Sequence, residues 1–396
     1  MFGRRGAFVL VGGAFAMALA MGVMGLVRAR NADMKAVTVP ITLHDGMIFV
    51  ASTVNGKPVT LMLDTGAGGN VLTPEAARRL GLTPGTDQRD VEGTGGKAAR
   101  ASAVQLDRLS VATASAAKQT AYLIPLPEIL QCDGLLGTPF LEQWVVTVDY
   151  TRSLLTLTPR PLFSPPANAR VLPLRMIGNT PHIEATVGAA PGWFMADTGD
   201  NGSLTLFKTF VDQNHLRGKY GSSQRTVTGK GAGGLTYGER VRLPQFAPGP
   251  FQFQNVPTVL SQQTTGVQAN PDRAGNIGAE IWQRFTVTLD YGGAKIYLVP
   301  NTHYSQPFVG NRSGLVLDYR NASHTILATL PKSPASEAGL QTGETITAID
   351  DTPLASLPPL EVRALLRHPV GAKVRLRIRR AAGEERTVTL TLRDLF

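Results

Sequence analysis

Cysteine occurs once in the 396 residues, at Cys132. A single thiol excludes an intrachain disulfide and a cysteine-based zinc site, and leaves a small apolar residue as its plain reading. Histidine is nearly as scarce. His44, His182, His215, His303, His324 and His368 lie far apart, with no pair at metal-ligand spacing, so no metal is expected. Charged residues make up only 17%, and although the net charge is +10, the lysines and arginines are scattered. The one dense stretch, Arg375–Arg380 (RLRIRR), alternates as one face of an edge strand does. Without a basic patch or an aromatic platform, nucleic-acid binding is not expected.

Long apolar runs are missing too, with one exception. Gly6–Val27 carries no charge and follows Arg4 and Arg5. It is longer than a usual signal-peptide core and long enough to span a bilayer. Val27-Arg28-Ala29 is a poor cleavage site, and arginines on both sides leave orientation weakly determined. Residues 1–36 therefore read as an export segment, a signal peptide or a retained membrane anchor, with the rest of the chain outside the cytoplasm.

What the chain does have is glycine, 42 residues, and proline, 27, a supply suited to many strands joined by tight turns. It also has an internal repeat. Gly134–Pro159 (GLLGTPFLEQWVVTVDYTRSLLTLTP) aligns without a gap on Gly275–Pro300 (GNIGAEIWQRFTVTLDYGGAKIYLVP), at an offset of 141 residues. Gly137 falls on Gly278, Asp149 on Asp290 and Tyr150 on Tyr291. Earlier in each half stands an apolar run ending in Asp-Thr-Gly: Leu61–Asn70 (LMLDTGAGGN) and Trp193–Leu204 (WFMADTGDNGSL). The two aspartates, Asp64 and Asp197, lie 133 residues apart, as do the threonines that follow them. This is a duplicated β-rich lobe. Val37–Val50 and Val145–Leu157 carry strand patterns, and Thr73-Pro74-Glu75 opens a short helix that stops near Gly81. Prolines at 161, 165 and 166 mark the seam between the lobes, 37–160 and 161–300, and 301–313 reads as a linker.

The remainder, 314–396, is different. Ser333–Leu340 (SPASEAGL), Gly343–Ile349 (GETITAI), a short helix in Pro359–Arg367 and two strands in Lys373–Leu392 resemble a PDZ domain of the bacterial protease-associated type. The resemblance implies a groove between a strand and a helix that takes a peptide, or a peptide C-terminus, as an added strand. It implies a carboxylate-capturing loop near Ser313, Gly314, Leu315 and Val316.

Two aspartates each presented on a tight turn fit a metal-free hydrolysis. One group must take a proton from water and another must give one to the leaving nitrogen. Two carboxylates in contact cannot both ionise readily, so they share a proton over a broad pH range; aspartic proteases are the standard case. Leu61–Ala67 (LMLDTGA) and Leu135-Leu136-Gly137 resemble the retropepsin-type aspartic protease pattern throughout. The second lobe keeps Asp197-Thr198-Gly199, but Asp200 stands where Ala or Ser is usual, and Asn276 replaces an apolar residue before Ile277-Gly278. The resemblance implies a mainly β, two-lobed pepsin/retropepsin-like fold with a PDZ-like α+β domain. It implies an endopeptidase without cofactor, with Asp64 and Asp197 as the acid/base pair. Thr65, Gly66, Ala67, Thr198, Gly199, Asp200, Gly137 and Gly278 support them. The partner is then a peptide or protein substrate, and the compartment the periplasm, free or anchored in the inner membrane facing it.

Asp200 has two readings. A third carboxylate near the pair raises its proton affinity; alternatively its side chain accepts backbone amides of the turn Asn201–Ser203, as aspartates in turn-rich loops do. Gly229–Gly234 (GKGAGG) fits the dinucleotide fingerprint in letters only, because Leu235–Leu243 continues as a strand and not a helix. Gly229, Gly231 and Gly233 read better as a hairpin tip that closes over a cleft, with Gly93, Gly95 and Gly96 as the counterpart in the first lobe. The competing function is a retropepsin-like peptide-binding or scaffold protein that has lost catalysis and acts through the cleft and the PDZ groove. Asp200 and Asn276 are the residues that divide the two.

Overall fold

The computed structural model describes residues 35–86, 88–95, 98–221, 225–231, 233–320, 323–380 and 383–395. The export segment expected over 1–36 lies outside them except for its last two residues. Among the described residues, no helix is long and apolar enough to cross a membrane.

The repeat folds twice into the same sheet. In the first lobe the strand order is 42–44, 47–54, 57–63, 134–136, 70–72, 114–123, 98–111, 88–92. In the second it is 175–177, 180–187, 190–196, 275–277, 204–206, 253–261, 234–248, 226–231. The two orders match position for position. In each lobe the strand that ends at the aspartate (57–63 or 190–196) runs parallel to the short strand of the late glycine segment, Leu61 opposite Gly134 and Phe194 opposite Gly275. The Leu61, Met62 and Leu63 side chains are all buried, as are Phe194, Met195 and Ala196. An apolar run buried on both faces is what allows a strand to carry a carboxylate rigidly at its end.

A third sheet joins the lobes, in the order 37–40, 154–158, 145–149, 285–290, 295–300, 170–173. Its middle pair is Val145–Asp149 against Phe285–Asp290, antiparallel, with Thr147 opposite Thr288. Their hydroxyls lie 2.9 Å apart. These two residues are equivalent in the repeat, and a residue that pairs with its own equivalent marks a pseudo-twofold axis. The two lobes share one apolar core, from Ile48 and Phe140 to Phe194, Phe246 and Trp282.

The helix expected after Thr73 spans Pro74–Leu80. The Thr73 hydroxyl accepts the Ala76 N–H at 3.1 Å, and Gly81 ends the helix at φ 75°. The segment 301–313 is bound to the second lobe and does not hang free. Arg284 donates to the carbonyls of His303, Tyr304 and Gln306 at 3.2, 3.2 and 2.5 Å, and its guanidinium stacks on Phe308 at 3.8 Å.

Beyond it, strands 315–320, 323–329, 345–349, 373–379 and 385–391 form one antiparallel sheet, with 352–353 beside 345–349. A separate core of Leu317, Ile326, Ile346, Val362, Leu376 and others seals it against the helix Pro359–Leu365. Ser333 caps the short helix Pro334–Glu337 through a reciprocal box with Ser336. That box accounts for the two serines of the SPASEAGL motif.

Candidate active site

Each Asp-Thr-Gly turn begins with the aspartate amide bound to the late glycine segment of its own lobe: Asp64 N–H to Leu136 O at 3.1 Å, Asp197 N–H to Ile277 O at 3.0 Å. The threonines then cross to the other lobe. Thr65 N–H donates to the Thr198 hydroxyl at 3.1 Å and Thr198 N–H to the Thr65 hydroxyl at 3.0 Å. Each hydroxyl in turn donates to the strand end opposite, Thr65 to Ala196 O at 2.5 Å and Thr198 to Leu63 O at 2.9 Å. Both side chains are buried, so these bonds are shielded from water and hold the two turns in one geometry. The axis marked by Thr147 and Thr288 recurs here as a reciprocal threonine pair.

The glycines complete the approach. A Cβ on Gly66 would lie 2.5 Å from the Asp197 Cγ, and one on Gly199 would lie 2.4 Å from the Asp64 Cγ. Each turn can therefore meet the other lobe's carboxylate only because it has no side chain there. Gly66 N–H donates to Asp64 Oδ1 at 2.9 Å; Gly199 and Asp200 N–H donate to Asp197 Oδ1 at 2.8 and 3.2 Å. Each carboxyl therefore sits against the turn that carries the other.

Burial pushes the Asp64 carboxyl up to about 6, against the lowering effect of Asp197 and of the Gly66 and Ala67 amides. Asp197 is held well above the ordinary carboxylate range, first by burial and then by the charges of Asp64 and Asp200, opposed by Asn276 and the Gly199 amide. Two adjacent carboxyls in this setting retain a proton well above the pH at which an isolated aspartate loses it.

Residues 50–140 and 183–281 match the aspartyl protease family, and residues 325–380 match the PDZ domain. The chain carries a retropepsin-like aspartyl protease domain and a PDZ domain. Among solved structures, a retropepsin-like aspartic protease from Rickettsia conorii is 21% identical, with a TM-score of 0.25, over 32% of this chain and 92% of that one. The photosystem II D1 C-terminal processing protease is 24% identical, with a TM-score of 0.21, over 24% of this chain and 26% of that one. No curated protein matches the chain.

The remaining expected site residues of the protease and PDZ domains are placed as follows. Gly137 and Gly278 abut the carbonyls of Gly69 and Gly202, with no room for a Cβ, and each opens the short helix after its strand. The hairpin tips of the two lobes touch: Gly233 N–H donates to Thr94 O at 2.8 Å, and a Cβ on Gly95 would lie 2.3 Å from Gly234 O. Gly231 lies equally close to Thr94, while Gly229 sits back along its strand near Thr236, and Gly93 begins the first-lobe tip. Gly96 lies outside the described residues.

The loop expected to capture a carboxylate is placed differently. The Ser313 and Gly314 amides donate to Asn311 Oδ1 at 3.1 and 2.8 Å, and the Leu315 amide donates to the Ser313 hydroxyl at 3.1 Å. Leu315 and Val316 are buried. These bonds satisfy the amides within the turn, so Ser313–Leu315 caps the strand 315–320.

Asp200 accepts hydrogen bonds on both of its carboxylate oxygens. Its Oδ1 accepts the Gly202 N–H at 2.8 Å, as in an Asx turn, and its Oδ2 accepts the Asn276 Nδ2 at 2.8 Å. The same Nδ2 donates to Asp197 Oδ2 at 2.9 Å. Asn276 is the residue whose place in the site the sequence reading did not supply; its appearance together with Asp200 was the available signal.

Proposed function

We propose that this chain is an aspartic endopeptidase in which Asp64 and Asp197 share one proton and activate water. A single observation carries the reading: two carboxyls from equivalent turns are each set against the other's turn, locked by the reciprocal Thr65–Thr198 bonds, with proton affinities raised by burial. Water lies between the carboxyls. The ionised one takes a proton from it as its oxygen adds to the peptide carbonyl, and the protonated one gives its proton to the carbonyl oxygen. Collapse of the resulting diol returns a proton to the leaving nitrogen. No covalent intermediate forms. The touching hairpin tips part to admit substrate and close over it, excluding water. The PDZ domain takes an extended peptide along the edge strand 315–320, beside the helix Pro359–Leu365. On this reading the export segment places the enzyme in the periplasm, free or held at the inner membrane.

The full-length chain is incubated with an unbiased peptide mixture from pH 3.5 to 8, and cleavage is read by mass spectrometry. Asp64→Asn and Asp197→Asn should each lower turnover by at least about a hundredfold while keeping peptide affinity, because acid–base catalysis contributes on that scale. Undiminished turnover in either variant overturns the mechanism. Peptide retention without cleavage by the unaltered chain would support the binding-protein reading.

A further inference from the structure

The two departures of the second lobe from the retropepsin pattern, Asp200 and Asn276, are in contact with each other and with Asp197. In the repeat they stand opposite Ala67 and Leu135, a pair with no polar group. One Asn276 amide therefore serves two carboxylates at once. Its orientation is assigned from Asp200, whose carboxylate accepts and so takes the NH₂ end of the amide, and the Asn276 Oδ1 is left buried without a hydrogen-bond partner. Asn276 is 5% exposed, which leaves water little access to replace it.

We propose that Asn276 is a positioning residue for the acid–base pair, and that Asp200 and Asn276 act as one unit in which the amide makes the third carboxylate tolerable beside Asp197. The inference rests on the protease reading but is tested separately from it.

The charged and titratable groups around this unit are few. Asp197 faces Asp64 and Asp200; Asp200 faces Asp197 and, from the PDZ domain, lies within electrostatic reach of Arg363. Arg363 is itself bound to Asp45 at 2.7 Å. No donor other than Asn276 bridges Asp197 and Asp200 among the described residues. Without its amide, two carboxylates separated by one small side chain are left to repel, and each proton is held more tightly. Without Asp200, Asn276 keeps its bond to Asp197 and loses only its second partner. Without both, the second lobe has the first lobe's apolar pair.

The order of effects is therefore unusual, since the double variant should be better than one of its singles. Four full-length chains are compared: unaltered, Asp200→Ala, Asn276→Leu, and Asp200→Ala/Asn276→Leu. In Asn276→Leu the alkaline limb of the kcat profile should move up by about one pH unit, with kcat lowered about tenfold, as like charges at this range require. The double variant should recover most of that kcat and bring the limb back below that of Asn276→Leu. In parallel, thermal unfolding is followed at pH 4 and pH 8. Asn276→Leu should lose more stability at pH 8 than at pH 4, and the double variant should not. This second readout requires no cleavage, so it stands even if the chain proves not to be a protease. Should Asn276→Leu fail to fold, Asn276→Ala removes the same amide with less crowding. Strictly additive effects in both readouts, or an Asn276 variant whose loss is the same at both pH values and is not relieved by Asp200→Ala, would overturn the proposal.

Discussion

Gly66 offers the sharpest perturbation of the site, because its missing side chain is the space in which the other lobe's aspartate sits. Gly66→Ala places a methyl 2.5 Å from Asp197 Cγ and 2.6 and 2.7 Å from its two oxygens. Ordinary contact begins near 3.4 Å, so the carboxylate or the turn must retreat by about 0.9 Å. Asp197 has no easy retreat, since Gly199, Asp200 and Asn276 hold it at 2.8, 3.2 and 2.9 Å. The backbone gives no independent reason for glycine, because Gly66 is not among the residues with positive φ. The whole effect therefore crosses the lobe boundary. Overpacking of this kind costs about 1–3 kcal/mol of stability. A displacement of about 1 Å at reacting groups costs about a hundredfold in rate, or about 2.7 kcal/mol of transition-state stabilisation. The assay is kcat/KM on a cleaved peptide, with a chemical denaturation curve for each variant. Gly199→Ala, which strikes Asp64 at 2.4 Å, should behave alike. A Gly66→Ala chain that folds and keeps kcat/KM within about threefold of the unaltered chain would refute the contact geometry.

Two further outcomes are expected. Asp64 sits at about 6 in the folded chain, against about 3.9 when unfolded, so its contribution to stability is fully present below pH 4 and is lost as pH rises through 6. The loss is about 3 kcal/mol at most, reduced because the carboxyl keeps partial exposure to the cleft. Asp64→Asn should therefore be more stable than the unaltered chain at pH 7.5 and no more stable at pH 4, in denaturant titrations at both; a pH-independent difference would contradict the burial argument. The second concerns the PDZ domain, whose helix Pro359–Leu365 and following turn are tied to the first lobe by Arg363 and Arg367, at 2.7 and 2.8 Å from the Asp45 carboxylate. Asp45→Ala should raise amide hydrogen exchange over 359–367 at least severalfold, and unchanged exchange there would show that the ion pairs do not hold the helix.

Much of this was legible in the sequence because duplication writes geometry twice. The constant offset between Gly134–Pro159 and Gly275–Pro300 implies two equal lobes, and equal lobes carrying one aspartate each imply a site on the axis. The Thr65–Thr198 bonds follow once the turns must touch, since a small β-branched alcohol can donate and accept at the same time. Contacts that have no periodic signature were not legible. Asn276 reads in one dimension as a flaw in an apolar segment, and becomes a bridge only when strand 275–277 is placed beside 190–196. The contacts of the loop at Ser313–Val316 were not legible for the opposite reason. Its position before a strand matched the PDZ pattern, but Asn311, a residue outside the pattern, takes the amides the pattern would offer. The close meeting of Thr94 with Gly233 likewise depends on two hairpins far apart in sequence.

The asymmetry of the site and the position of the PDZ domain belong to one argument. Asp200 and Asn276, inside the repeat, already give Asp197 surroundings that Asp64 lacks, and an element outside the repeat adds a further difference. The PDZ domain is that outside element, and its contacts fall on the second lobe's active-site loop and on the first-lobe hairpin beside it. Arg367 reaches Glu280 at 3.6 Å and Asp45 at 2.8 Å, and Glu280 in turn receives the Ser203 hydroxyl at the end of the loop that begins with Asp200. Gly46, next to Asp45, packs against Ala279, one residue beyond Gly278. On the far side, Lys230 of the second-lobe hairpin pairs with Asp318 of the edge strand at 3.0 Å. The PDZ strand and helix thus touch the hairpin tip and the base of the Asp200 loop at once. A third carboxylate beside the pair requires a compensating amide on one side, which Asn276 supplies, and gains a cation within electrostatic reach on the other, which Arg363 supplies. Asp200 has both within reach.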